Sequence, residues 1–188
     1  MDHFALLGVP RGFQVDRGRL EQGYQERQAR FHPDRFALAS ATERRHSLEW
    51  ATQLNTAWRT LRDPVLRGGY LVRLLGGRGE GSTASGGQAG RADMNDGDPE
   101  FLMTVMEMRE ELAELSANPV GTGERVAQLR QEIERRIATE LTGLEKALTR
   151  ALAATSAPVL AEAERHLDHL RYHQRFIEEL ERLEEELA

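Results

Sequence analysis

One stretch limits the folding options of this chain more than any other. From Gly76 to Gly97 the sequence holds 8 of its 17 glycines and almost no large apolar side chain. Such a segment cannot bury enough surface to offset the entropy of ordering it. It is therefore read as a flexible linker, spanning roughly 26 Å end to end as a Gly-rich coil. Two small modules are expected on either side, residues 1–75 and residues 98–188, with 76–97 as the tether. The charges divide at the same place. Before the linker 12 Arg face 8 acidic residues, a balance of +4, and after it 11 Lys and Arg face 20 acidic residues, a balance of −9. A basic front and an acidic back point to different partners.

Neither module shows the period-two alternation of a half-buried strand, so the expected fold class is all-α. In the front module a short helix carries Phe4, Leu6 and Leu7 and stops at Gly8. A second starts after Asp16 with Leu20, Tyr24 and Phe31 on one stripe. A third opens near Ser40 to Thr42 and carries Leu48, Ala51, Leu54, Trp58 and Leu61. A fourth follows Asp63-Pro64, where Asp caps and Pro takes the first helical position. Gly68-Gly69 in that fourth helix costs roughly 1 kcal/mol per glycine relative to alanine, which predicts fraying.

After the linker three longer helices are expected. The first opens at Asp98-Pro99 and runs to about Ala117. The second follows Thr122, with Val126, Leu129, Ile133, Ile137, Leu141, Leu144 and Leu148 at 3–4 spacing, and the third follows Ser156. Short connections around Asn118-Pro119 and from Thr155 to Pro158 favour antiparallel neighbours, hence a three-helix bundle. Long helices with charged outer faces are also compatible with a dimeric coiled coil.

Composition removes several chemistries. With 39% hydrophobic and 30% charged residues, and no run near the roughly 18 apolar residues of a membrane span, the chain reads as soluble. The acidic start Met1-Asp2-His3 is unlike a signal or transit peptide, so a cytoplasmic location is expected. The absence of cysteine excludes disulfides, a thiolate nucleophile, a Cys-based zinc site and any iron–sulfur cluster held by the chain's own thiolates. On the last helix Glu162, His166, His169 and His173 share a face at a formal metal-ligand spacing. The Leu and Ile repeats of the facing helix leave no inward carboxylate layer, however, so neither a metal site nor a cofactor is expected.

The motif that carries chemistry is His32-Pro33-Asp34. It follows an amphipathic helix bearing Arg27 and Arg30 and is followed by Arg35. It precedes a helix ending Asn55-Thr56-Ala57-Trp58-Arg59-Thr60-Leu61-Arg62-Asp63-Pro64, then Arg67 and Tyr70. With these pieces at this spacing, residues 2–75 resemble a J-domain, the helical hairpin by which J-type co-chaperones dock onto a DnaK-class ATPase and stimulate it. The resemblance implies that His32, Pro33 and Asp34, with Arg27, Arg30 and Arg35, touch the chaperone. No nucleophile or partnering carboxylate surrounds His32 in sequence, so it is not read as a general base and no enzyme is expected.

The first helix of the back module carries a second surface. With Phe101 at 0° and steps of about 100° per residue, Val105, Met108, Leu112 and Leu115 fall at about 40°, 340°, 20° and 320°, a complete core stripe. Leu102, Met106 and Met103 fall away from it at about 100°, 140° and 200°, and Glu110, Glu114 and Glu107 at about 180°, 220° and 240°. Apolar side chains rimmed by charge, on a face the bundle does not need, point to a partner site. The run from Phe101 to Leu112, together with the opening from Met1 to Gly8, closely resembles the iron–sulfur co-chaperone family HscB. That resemblance implies a scaffold-binding face of Leu102, Met103, Met106, Glu107, Glu110, Glu114 and Tyr172. It also implies two partners, an HscA-type DnaK-class chaperone and an IscU-type cluster scaffold protein, and a function in delivering the second to the first. No nucleic acid or membrane partner is expected. The alternative is a J-domain protein for another client, its acidic bundle serving oligomerisation.

Overall fold

The computed structural model describes residues 2–31, 39–77, 98–117 and 122–187, and every regular element among them is a helix. In chain order these are α1 (His3–Leu7), α2 (Arg17–Phe31), α3 (Ala41–Arg62), α4 (Pro64–Leu75), α5 (Pro99–Ala117), α6 (Gly123–Ala153) and α7 (Ala157–Leu187). No described helix is long and apolar enough to cross a membrane. The expected linker lies, from residue 78 to 97, outside the described residues, as do residues 118–121 of the α5–α6 connection.

The described residues gather into two compact units. The first holds α1 to α4 together with Glu145–Ala163, the tip of the α6–α7 hairpin; the second holds α5 and the remainder of α6 and α7. The tip thus groups with the front helices rather than with the rest of the bundle expected from 98 to 188.

Local chemistry sets the helix starts in the first unit. Asp2 accepts the Ala5 amide at 2.8 Å and Asp63 the Leu66 amide at 2.8 Å, with Pro64 next in line. Ser40 and Glu43 form a reciprocal capping box at the head of α3, which satisfies two amides that the helix leaves orphaned. The α2–α3 pairing is antiparallel. Tyr24 stacks on Trp58 at 4.8 Å and donates its hydroxyl to Asn55 at 2.8 Å, whereas Phe31, seven residues on, stacks on Trp50 at 5.1 Å. Gly23 is required where α1 crosses α2, because a Cβ there would lie 2.1 Å from the Leu7 carbonyl oxygen.

Two expectations change here. Leu48 is 61% exposed and is not part of the core; one residue earlier Ser47 is buried, its hydroxyl donating to the Phe31 carbonyl at 2.9 Å. The fourth helix is not frayed. Gly68 and Gly69 are both buried within a continuous α4 beside Val65, Tyr70, Leu71 and Val72, so packing outweighs their propensity. Tyr70 closes the unit by accepting the His3 amide at 2.9 Å while stacking on the His3 ring at 4.2 Å.

In the second unit the core is built from one stripe of each helix. Met108 and Leu115 of α5, Val126, Leu129 and Ile133 of α6, and Phe176, Leu180 and Leu183 of α7 form a single buried cluster. Each fully buried Leu, Ile or Phe contributes roughly 1.5–3 kcal/mol relative to exposure. The register of α6 against α7 is antiparallel, with Arg130 pairing with Glu184 and, ten residues on, Glu140 meeting His166.

Candidate functional site

The two surfaces anticipated from sequence differ in how much of each is described. His32, Pro33, Asp34 and Arg35 lie outside the described residues, and the helix leading to them ends at Phe31. Arg30 is exposed in the last turn of α2, its guanidinium carbon 5.4 Å from the centre of the Phe31 ring. Arg27 is turned the other way. It is half-buried, donates to the Gly23 carbonyl at 3.0 Å and lies against the C-terminal cap of α1 at Gly8. The stem therefore packs against the protein while the guanidinium reaches a backbone carbonyl.

The α5 face is fully described. Val105, Met108 and Leu115 are buried and Leu112 is partly buried against the bundle core, so the anticipated stripe points inward. On the outer side Leu102 is 36% exposed, Met103 64% and Met106 62%, and Glu107, Glu110 and Glu114 are exposed beside them. Three neighbouring apolar side chains left in water on a helix with a satisfied core are spare contact area.

Tyr172 is brought to this helix without lying fully open. It is half-buried at the edge of the bundle core, with Phe101 edge-on at 5.7 Å and Phe176 at 6.4 Å. Its hydroxyl accepts from Arg109 Nε at 3.1 Å, and the same guanidinium grips Glu179 through Nη1 at 2.9 Å and Nη2 at 3.3 Å. Sequence reasoning missed Arg109. The available signal was a lone cation at about 80° on the wheel, between the core stripe and the exposed face.

The third feature is a correction. The facing helix does supply an inward carboxylate: Glu140 on α6 accepts from His166 Nδ1 at 2.6 Å and His169 Nδ1 at 3.1 Å. A carboxylate only accepts, so both imidazoles present N–H at Nδ1. Burial pushes the Glu140 carboxyl up, but the hydrogen bonds from His169 and His166 outweigh it and hold it down at about 2. Burial pushes the His173 imidazole down to about 4, against the pull of Glu140, and its Nδ1 has no hydrogen-bond partner. Room for the layer comes from Gly143, where a Cβ would sit 2.4 Å from His166 Cε1. Glu162, the fourth member of the sequence-derived set, pairs instead with Arg150 at 2.5 Å. A cleft of about 470 Å³ opens over this layer, walled by Asp98, Phe101 and Arg136. Among the described residues no three His, Asp or Glu side chains are arranged to hold a metal ion.

Comparison with known proteins adds the following. Residues 97–181 match the family model described as the HSCB C-terminal oligomerisation domain. A co-chaperone protein HscB homolog of Aeromonas salmonicida is 36% identical over 191 residues, covering 100% of this chain and 98% of the relative. One from Bordetella pertussis is 42% identical over 135 residues, covering 71% and 70%. Among solved structures, chaperone HscB from Vibrio cholerae superposes with a TM-score of 0.79 at 29% identity over 100% of both chains. Human co-chaperone protein HscB gives 0.78 at 26% identity, over 96% of this chain and 81% of that one.

Proposed function

The chain belongs to the HscB co-chaperone family, an all-α protein with an N-terminal J-type domain and a C-terminal helical bundle, and from that premise we propose that it presents an iron–sulfur cluster scaffold protein of the IscU type to an HscA-type, DnaK-class chaperone and stimulates the chaperone's ATPase. Residues 1–75 are the chaperone-facing module, 76–97 the tether and 98–188 the client-facing module, acting in the cytoplasm and without catalysis by the chain itself.

The observation that carries this reading is the outer face of α5. Its apolar residues Leu102, Met103 and Met106 are exposed although the helix has a complete buried stripe, and Glu107, Glu110 and Glu114 flank them. A partner covering the face gains apolar burial, while the carboxylates orient a basic counterpart. On the other module, His32-Pro33-Asp34 and Arg35 follow a helix end that carries the exposed Arg30. Proline lowers the ordering cost of the segment it sits in, and the basic α2 favours approach to an acidic ATPase surface.

The test pairs two readouts. His32→Gln is expected to abolish stimulation of ATP turnover while the melting temperature and scaffold affinity of the full chain stay unchanged, and Asp34→Asn is expected to do the same through charge alone. A His32→Gln protein that stimulates like the parent removes the chaperone half of the proposal. A second reading, self-association through the α5 face, is favoured only by the oligomerisation named in the matching family description. Sedimentation of the full chain with and without scaffold separates the two.

A further inference from the structure

Arg109 is about half exposed, yet its guanidinium is engaged on every side that faces α7. Nε donates to the Tyr172 hydroxyl at 3.1 Å, and Nη1 and Nη2 donate to the two Glu179 oxygens at 2.9 and 3.3 Å. The plane also lies over two rings, with Cζ 5.8 Å from the Tyr172 centroid and 5.9 Å from that of Phe176. An exposed ion pair adds little to stability, so stability alone is a weak reason for this arrangement. Its location supplies a better one.

At about 100° per residue Arg109 emerges roughly 80° from Phe101, next to Leu102 at about 100° and Met106 at about 140°. It therefore stands on the border between the buried stripe and the exposed apolar face. Tyr172 meets α5 on the same side, with its ring edge-on to Phe101 at 5.7 Å and its hydroxyl tied to Arg109. Held at both ends, the ring keeps one orientation in the free protein. A partner that covers this border then meets an aromatic surface whose ordering cost is already met. Only arginine can do this, since lysine offers neither the planar fork for Glu179 nor a flat face for the rings.

We propose that Arg109 is a positioning residue for the α5 docking face, holding Tyr172 in a single pose at the rim beside Leu102 and Met106. The inference rests on the reading of that face as the client-docking surface. Arg109 acts here through Tyr172 and not as a charge offered to the partner.

The experiment is titration calorimetry of the full chain against purified scaffold protein, at low and high salt. Arg109→Lys is expected to weaken binding about fivefold at both salt concentrations, and Tyr172→Phe by a similar factor. The double variant is expected to lose no more than either single one, because both remove the same tie. In the free protein, the NMR signals of a labelled Tyr172 ring are expected to broaden or average in Arg109→Lys. Four results would overturn the proposal: an unchanged affinity in Arg109→Lys when Leu102→Ala weakens binding; fully additive losses; a Tyr172 signal that does not respond; or a loss seen only in Arg109→Gln and fading with salt, which marks a direct charge contact. If Leu102→Ala also leaves binding intact, the docking reading fails rather than the positioning step alone.

Discussion

The outer face of α5 and the interior where α6 meets α7 break the same rule in opposite directions. On α5, Leu102, Met103 and Met106 stand in water; between α6 and α7, His169 and His173 are withdrawn from it and Glu140 partly so. The first inversion costs the fold little, because an exposed methionine is no worse off than in the unfolded chain. It matters only when a second molecule arrives. The second inversion carries a desolvation cost within the fold itself, and its return is a polar tie between two helices. Glu140 on α6 holds His166 at 2.6 Å and His169 at 3.1 Å on α7, so removing the carboxylate would leave both imidazole N–H groups without that acceptor. Exterior and interior exceptions to the hydrophobic pattern thus serve different ends, association in one case and helix–helix attachment in the other.

The comparison can be broken most decisively from inside. Glu140→Ala strands two imidazoles and is expected to lower the unfolding free energy by about 3 kcal/mol in urea titration at pH 7, with scaffold affinity unaltered once folded. A loss much below that would mean the layer is solvated and adds little to the α6–α7 contact. From outside, alanine at Leu102 and Met103 together is expected to weaken scaffold binding by about 2 kcal/mol, roughly thirtyfold, at any ionic strength and with no change in melting temperature.

Acid sharpens the interior half of the contrast. Glu140 titrates at about 2 in the fold against 4.5 for an ordinary glutamate, so its stabilisation is present above pH 4.5 and is lost as pH falls toward 2. His173 titrates at about 4 against 6.5 for an ordinary histidine, so only the unfolded chain takes up that proton between those values, and stability drains as pH falls from 6.5 to 4. Replacing His173 by Leu is expected to flatten the dependence of unfolding free energy on pH in the upper window by about 1 kcal/mol per pH unit. An unaltered slope would place the acid sensitivity elsewhere. The smallest effect belongs to the exterior charges. Glutamine at Glu107, Glu110 or Glu114 is expected to cost about 0.2–1 kcal/mol of binding each at low salt, and this loss should vanish as salt is added.

How far these features could be read beforehand follows from how local their causes are. Helix starts at Asp63-Pro64 and Asp98-Pro99 were legible because a cap needs only its own next three residues. The α5 face was legible because one helix's periodicity separates its buried stripe from the rest. Leu48 against Ser47 was not, since periodicity places a stripe to within about one residue and the Phe31 carbonyl that claims Ser47 comes from another helix. The polar layer was missed for a related reason. The histidine face of α7 was visible, but its partner on α6 depends on how two long helices register. One clue was present: measured from Ile133, Glu140 falls at about 340°, inside its own helix's apolar stripe. A carboxylate there, followed three residues later by Gly143, marks an imidazole laid against the backbone.

The two stems that flank His32-Pro33-Asp34 have a consequence for how this domain tolerates change. Phe31 is held through its carbonyl by Ser47 and through its ring by Trp50, and Ser40 is held by the Glu43 capping box. None of these bonds draws on a residue from 32 to 39. The two helix ends are thus braced from the far helix and from their own first turn, so a substitution at Ser47, Trp50 or Glu43 is felt at the motif without touching it.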